Sequence, residues 1–168
     1  MRAAVTALAA ALGAGLCASG AVAAGIAAVE AVAAPGLADL AGRWSGWGSI
    51  RMESGAAEQV KCVVTYFVPP SGSEVTQNLR CASQSFRIDA VASLAVEGAD
   101  VVGRWEERTY DARGSVSGRL TETGLSLSIT GDTFSAAMAV AVAGCKQSIT
   151  IAPRGFDIQK ISVGLEKC

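Results

Sequence analysis

The chain has 168 residues, 51% of them hydrophobic and 17% charged, with 14 Lys+Arg against 15 Asp+Glu and no histidine. A formal charge of −1 offers no field that would gather nucleic acid or anionic lipid. The absence of histidine removes the commonest general base, the commonest metal ligand and the usual partner of a serine or cysteine nucleophile.

The N-terminus carries Arg2, an apolar run from Ala3 to Leu16, and then small residues. Ala21-Val22-Ala23 and Ala31-Val32-Ala33 both match the A-x-A cleavage pattern. Residues 1–33 therefore read as a signal peptide with a helical apolar part and a short linker, cut near residue 23 or 33. The Ala/Gly content makes the run weakly hydrophobic, and no basic stop-transfer cluster comes after it, which favours a cleaved signal over an anchor. Cys17 is preceded by Leu16 rather than by a small residue, which argues against lipid attachment there. Once Arg2 and Glu30 leave with the signal, residues 34–168 keep 13 basic and 14 acidic residues. That is one domain of an exported protein, periplasmic or extracellular, with no later stretch long and apolar enough to span a membrane as a helix. Residues 24–41 either prolong the signal or form a short helix, and Leu37 to Leu40 could cover one end of the β domain.

From Gly42 onward apolar and polar residues alternate at period two. On β-strand geometry Trp44, Ile50 and Met52 share an inward face, as do Val60, Cys62, Val64 and Tyr66. Phe86, Ile88, Ala90, Ala92, Leu94 and Val96 form the clearest stripe. Leu125, Leu127 and Ile129 come next, then Phe134, Met138, Val140 and Val142. Turn signals separate these runs at Ser54-Gly55, Pro70 to Gly72, Gly98 to Asp100, Asp111 to Gly114, Thr123-Gly124, Gly131-Asp132, Gly144 and Pro153 to Gly155. The connections are too short for helical crossovers, so the expected fold is all-β: an antiparallel up-and-down meander of about eight to ten strands closing into a barrel.

Cys62, Cys81, Cys145 and Cys168 remain after signal removal, and an even number in an exported chain predicts two disulfides. A turn centred on Ser71-Gly72 sets Cys62 opposite Cys81 and Val64 opposite Leu79, within reach of a bridge. Cys145 and Cys168 then pair by exclusion. A turn at Arg154 would set Cys145 near Val163 instead, and the apolar phase changes between Ile158 and Ile161. A bulge near Gln159-Lys160 accounts for that change.

Three groups of residues are candidates for function. In Gly103-Arg104-Trp105-Glu106-Glu107, an inward Glu107 beside Trp105 would need a partner such as Arg or Tyr, and it could orient a ligand. The competing reading packs Trp105 in the core and leaves the charges at its rim. The expected ligand-binding set is Trp44, Trp105, Glu107, Phe86 and Met138, with small residues such as Ala90, Ala92 and Ala136 leaving space inside. Trp47 is out of phase with Trp44 and is the candidate for a surface partner, together with the loop Pro69 to Glu74. No catalytic residues, cofactor or metal are expected, and the partner is an unknown small molecule or protein.

Gly42-Arg43-Trp44 at the start of the first strand resembles the G-x-W opening of lipocalin-like (calycin) barrels, where the Trp closes one barrel end. The chain is also similar to an uncharacterised group of small exported bacterial proteins with a G-x-W first strand and a C-terminal cysteine. The later motifs of the lipocalin-like superfamily are missing. The resemblance implies a barrel that holds a small or apolar ligand. The same class includes bacterial metalloprotease inhibitors, which implies the alternative of a protein-interaction or inhibitor module acting through its outer surface. A structural component of the cell envelope is the third reading.

Overall fold

The computed structural model describes residues 36–168. The expected signal peptide, its two cleavage sites and Cys17 lie outside the described residues. A four-residue helix, α1 (Leu37–Leu40), precedes ten strands: β1 (Gly42–Met52), β2 (Ala57–Phe67), β3 (Glu74–Ala82), β4 (Arg87–Glu97), β5 (Asp100–Glu107), β6 (Ala112–Thr121), β7 (Gly124–Gly131), β8 (Ser135–Ala143), β9 (Lys146–Arg154) and β10 (Ile158–Glu166). Each strand pairs antiparallel with its sequence neighbours, and β10 pairs with β1, so the meander closes into a barrel with no free edge.

The period-two pattern is what closes it. Among the even positions of β2, Val60, Cys62, Val64 and Tyr66 are buried and Glu58 at the strand's start is partly so, while Lys61 between them is exposed. β8 buries Ala136, Met138, Val140 and Val142 in the same way. One interior therefore receives a stripe from every strand. Outward positions near mid-strand include Ser49, Lys61, Asn78, Arg104, Ser117, Ser128 and Thr150. Val63, Val91, Val102, Ala137 and Ala139 also face outward. Among the described residues no helix is long and apolar enough to cross a membrane.

The β2–β3 hairpin has the expected register, with Cys62 opposite Cys81 and Val64 opposite Leu79. The two cysteines are bridged, with Cα atoms 4.2 Å apart. Cys145 and Cys168 form the second disulfide, at a Cα separation of 5.5 Å. The last hairpin departs from expectation. β9 runs through Pro153 to Arg154, and the chain reverses at residues 155–157, centred two residues later than a turn at Arg154. Gly155 supplies the left-handed backbone there, with φ 92°. The later reversal sets Lys146 opposite Glu166, which brings Cys145 to the level of the chain terminus rather than to Val163. The phase change in β10 is absorbed where Arg51 pairs with Lys160 and Met52 with Ile158, leaving Gln159 as the extra residue of a bulge. The β5–β6 turn lies slightly earlier than expected, at residues 108–111, with Asp111 in the left-handed region at φ 51°.

Inward glycines let the strands coil tightly. A Cβ at Gly48 would run into the carbonyl oxygen of Ser162, and one at Gly118 into that of Ser126. A side chain at either point would push two bonded strands apart.

Candidate ligand-binding site

The two ends of the barrel differ. At one end α1 lies across the opening, with Leu37 and Leu40 buried. A void of only about 10 Å³ remains among Leu37, Leu40, Leu120 and Val142, room for about one water at most. Trp44 is fully buried beneath the helix and donates its indole N–H to the Leu40 carbonyl at 2.7 Å. Lys167 completes the closure. Its Nζ lies 4.5 Å from the centroid of the Trp44 ring and donates to the carbonyls of Asp39 (2.8 Å) and Ala41 (3.3 Å). The Cys145–Cys168 bridge tethers the residue next to that lysine.

The opposite end has no such plug among the described residues. Around it the inward apolar side chains are only partly buried: Met52, Leu79, Ile88, Trp105, Ile129, Ile151 and Ile158. Leu79 and Ile88 face inward, with Asn78, Arg80, Arg87 and Asp89 on the outer face beside them. Gly114, Gly131, Ala90 and Ala112 also point inward here, and none is fully buried. We call this end the mouth.

Aromatic residues line part of its rim. The Trp105 indole lies across β6 and β7: a Cβ at Gly114 would come within 2.8 Å of its Nε1, and one at Gly131 within 3.1 Å of its Cζ2. Its N–H donates to the Thr130 carbonyl at 3.2 Å. Phe134 packs on Trp105 with centroids 5.2 Å apart, and Phe156 on Phe134 at 4.9 Å. Phe86 reaches the rim from the β3–β4 turn, where its backbone N–H donates to the Ser83 hydroxyl at 3.0 Å. Glu58 holds that turn by accepting the Ser85 N–H at 2.6 Å. Its hydrogen bonds with Ser83 and Ser85 lower the carboxyl pKa below the ordinary value.

Glu107 faces inward at the mouth and is 7% exposed. Its partners are not the arginine or tyrosine side chain that the sequence suggested. Oε1 accepts the Asp89 backbone N–H at 2.8 Å, and Oε2 accepts that of Tyr110 at 2.7 Å. Burial alone would raise its pKa, but these N–H donors outweigh it and leave the carboxyl below the usual range. Both oxygens are thus engaged in fixing the β5–β6 turn to β4, which is a structural task. Backbone donors leave no trace in residue types, so the sequence could not have named them.

Toward the closed end the interior holds a polar trio that sequence reasoning missed. Gln77 donates to the Tyr66 hydroxyl at 3.3 Å. Gln147, on β9, is 3% exposed, and neither its Oε1 nor its Nε2 has a hydrogen-bond partner. Burial pushes the Tyr66 pKa well above the ordinary tyrosine value, with Gln147 and Gln77 acting weakly in the opposite direction. The phenol stays neutral and accepts from Gln77. The signal was present in the sequence as two glutamines and a tyrosine at inward parity. All thirteen lysines and arginines of the described residues are exposed, so the interior contains no cation.

Of the five expected ligand residues, Trp105 and Phe86 line the mouth and Met138 is buried in the barrel wall. Trp44 is at the other end, with no exposed surface to offer. No protein-family model matches this sequence, and no curated protein is detectably similar to it. Among the described residues no cluster of His, Cys, Asp or Glu could hold a metal ion.

A second concave region lies on the outer wall, across β1, β10, β9 and β8. It is a shallow groove of about 910 Å³ floored by small residues such as Ala141, Ser148 and Gly164. Trp47, 60% exposed as its phase implied, forms one side, with the Lys61 ammonium 5.4 Å from its ring centroid.

Proposed function

We propose that the protein is an exported binding protein that holds a small, largely apolar molecule inside its barrel, entered through the mouth. The observation that carries this reading is the gradient of burial along the interior. Trp44, Leu37, Leu40 and Val142 are sealed beneath α1, with Val96 and Leu120 partly buried at that end, while around Trp105, Leu79 and Ile88 the inward apolar side chains are partly accessible throughout. Ten strands can enclose more space than eight, whose interior side chains just fill, and the inward alanines near the mouth, Ala90 and Ala112, occupy little of it. Native mass spectrometry of protein purified from its own host tests the reading. A co-purified small molecule, released on denaturation, is the expected result.

Export is supported by the two disulfides, which form and persist in oxidising compartments, and by the signal-like residues 1–33. Intact-mass analysis of protein recovered from the periplasm or the medium should find the leader missing and both bridges closed. An uncleaved N-terminus in the membrane fraction would overturn this.

The outer groove beside Trp47 favours a second reading, a protein-interaction surface. It predicts a captured partner that Trp47→Ala loses, with the mouth playing no part.

A further inference from the structure

Three features bear on what could bind: the groove beside Trp47, the tethered plug at Lys167, and the uncharged polar trio inside the barrel. The trio carries an argument furthest, and it rests on the interior-binding reading above. We infer that the ligand is an uncharged molecule with an apolar body and one hydrogen-bonding group, an alcohol or an amide, recognised by Gln147 with Tyr66 and Gln77.

The argument is one of charge and satisfaction. The interior has no lysine or arginine to neutralise an acid. Its two inward carboxylates, Glu58 and Glu107, lie at the mouth and are both held by backbone N–H groups of turns. An anionic head drawn into this barrel would find only neutral dipoles deep inside and acidic groups at the entrance. A cationic head would find its only carboxylates already committed to turns. A buried charge without a partner costs several kcal/mol, whereas a neutral hydroxyl or amide costs little once hydrogen-bonded. Gln147 offers both a donor and an acceptor, and at 3% exposure it is shielded from water with neither used. A group that donates and accepts at once matches it, and the neighbouring Tyr66 hydroxyl adds a further donor. An unpartnered buried amide is destabilising in the empty protein, and a ligand hydroxyl would relieve that.

Displacement of the neutral dye Nile red by 1-decanol and by decanoate at pH 8 tests the inference, since the two share a tail and differ in head group. Decanol should displace the dye at concentrations at least about tenfold lower, the ratio that about 1.4 kcal/mol of uncompensated charge would give. Decanoate should gain ground as the pH falls towards the carboxyl range, because the neutral acid is then the species that enters. Gln147→Leu and Tyr66→Phe should each weaken decanol at least about threefold, a fraction of one buried hydrogen bond, and leave Nile red binding intact. Gln147→Leu removes an unpartnered polar group and keeps the volume, so the variant should fold. Decanoate competing as well as decanol at pH 8 would overturn the inference and leave interior binding standing. So would dye binding with decanol indifferent to both substitutions. No dye binding at all would remove the interior-binding reading, and this inference with it.

Discussion

A carboxylate with both oxygens on backbone N–H groups does more for a turn than for a ligand, and Glu107 is such a group. Its folded pKa lies below the ordinary value of 4.5. The stability it adds is therefore present above about that pH and is lost as the pH falls through the lower, folded value. Glu107→Gln keeps the shape but places an amide N–H₂ against one of two backbone donors. We expect a loss of about 1–3 kcal/mol at pH 7, read by urea denaturation, and a gap from the parent that narrows on acidification below about pH 4. A gap independent of pH would mean that packing, not charge, holds this residue. Gly48 is a second single-residue test. Its missing Cβ would collide with the Ser162 carbonyl, a backbone atom that cannot rotate away. Gly48→Ala should cost about 1–3 kcal/mol or more, measured in the same way. Sequence alone puts Gly48 in the first strand, in phase with Trp44 and Ile50. It could not say that the next strand's carbonyl occupies the space of a side chain, because that depends on how tightly the barrel coils.

Strands and hairpins were the legible level. Alternation in β4, from Ile88 to Val96, set the inward face directly, and the Ser71-Gly72 turn fixed the Cys62–Cys81 register by counting. The C-terminal hairpin was half legible. The phase change between Ile158 and Ile161 marked the bulge found at Gln159, but the later reversal at Gly155 moves the register and has no unique spelling in residue types. The β3–β4 turn at Ser83 to Ser85 carries no glycine or proline and so gave no turn signal; Glu58, from another strand, holds it instead. The polar trio was hidden for a related reason, since Gln147 on β9 and Tyr66 on β2 come near each other only once β10 closes onto β1 between them. The two bridges make the element-scale prediction. Cys62 is 2% exposed, whereas Cys145 and Cys168 both lie at the surface. Mild reductant under native conditions should open Cys145–Cys168 first, seen by alkylation and peptide mapping, with Cys62–Cys81 opening only on unfolding. Removing the inner bridge should cost about 2–5 kcal/mol. Cys62→Ser and Cys81→Ser should behave alike, and the double change should cost little more than either. Simultaneous reduction of both bridges in native protein would contradict the placement.

For the molecule as a whole the deciding question is whether the barrel is a container or a solid core, and a residue added at the mouth can answer it. Ala90 faces inward on β4, opposite Leu79 and Glu107, and is only partly buried. If the interior near the mouth is unfilled, Ala90→Phe projects a ring into that space and gains apolar burial without displacing its neighbours. Stability should then change little, and a co-purifying or added apolar ligand should be excluded. If the upper interior is already packed, the same ring must force Leu79, Ile88 or Trp105 off their rotamers, at a cost of about 1–3 kcal/mol. Denaturation and Nile red binding on one variant separate the two cases. Unchanged stability with lost binding supports the container. Lost stability, with no dye binding even in the parent, makes the barrel a rigid scaffold. The outer groove beside Trp47 would then be the surface through which it acts, and Trp47→Ala, silent in the first case, would become the substitution that matters.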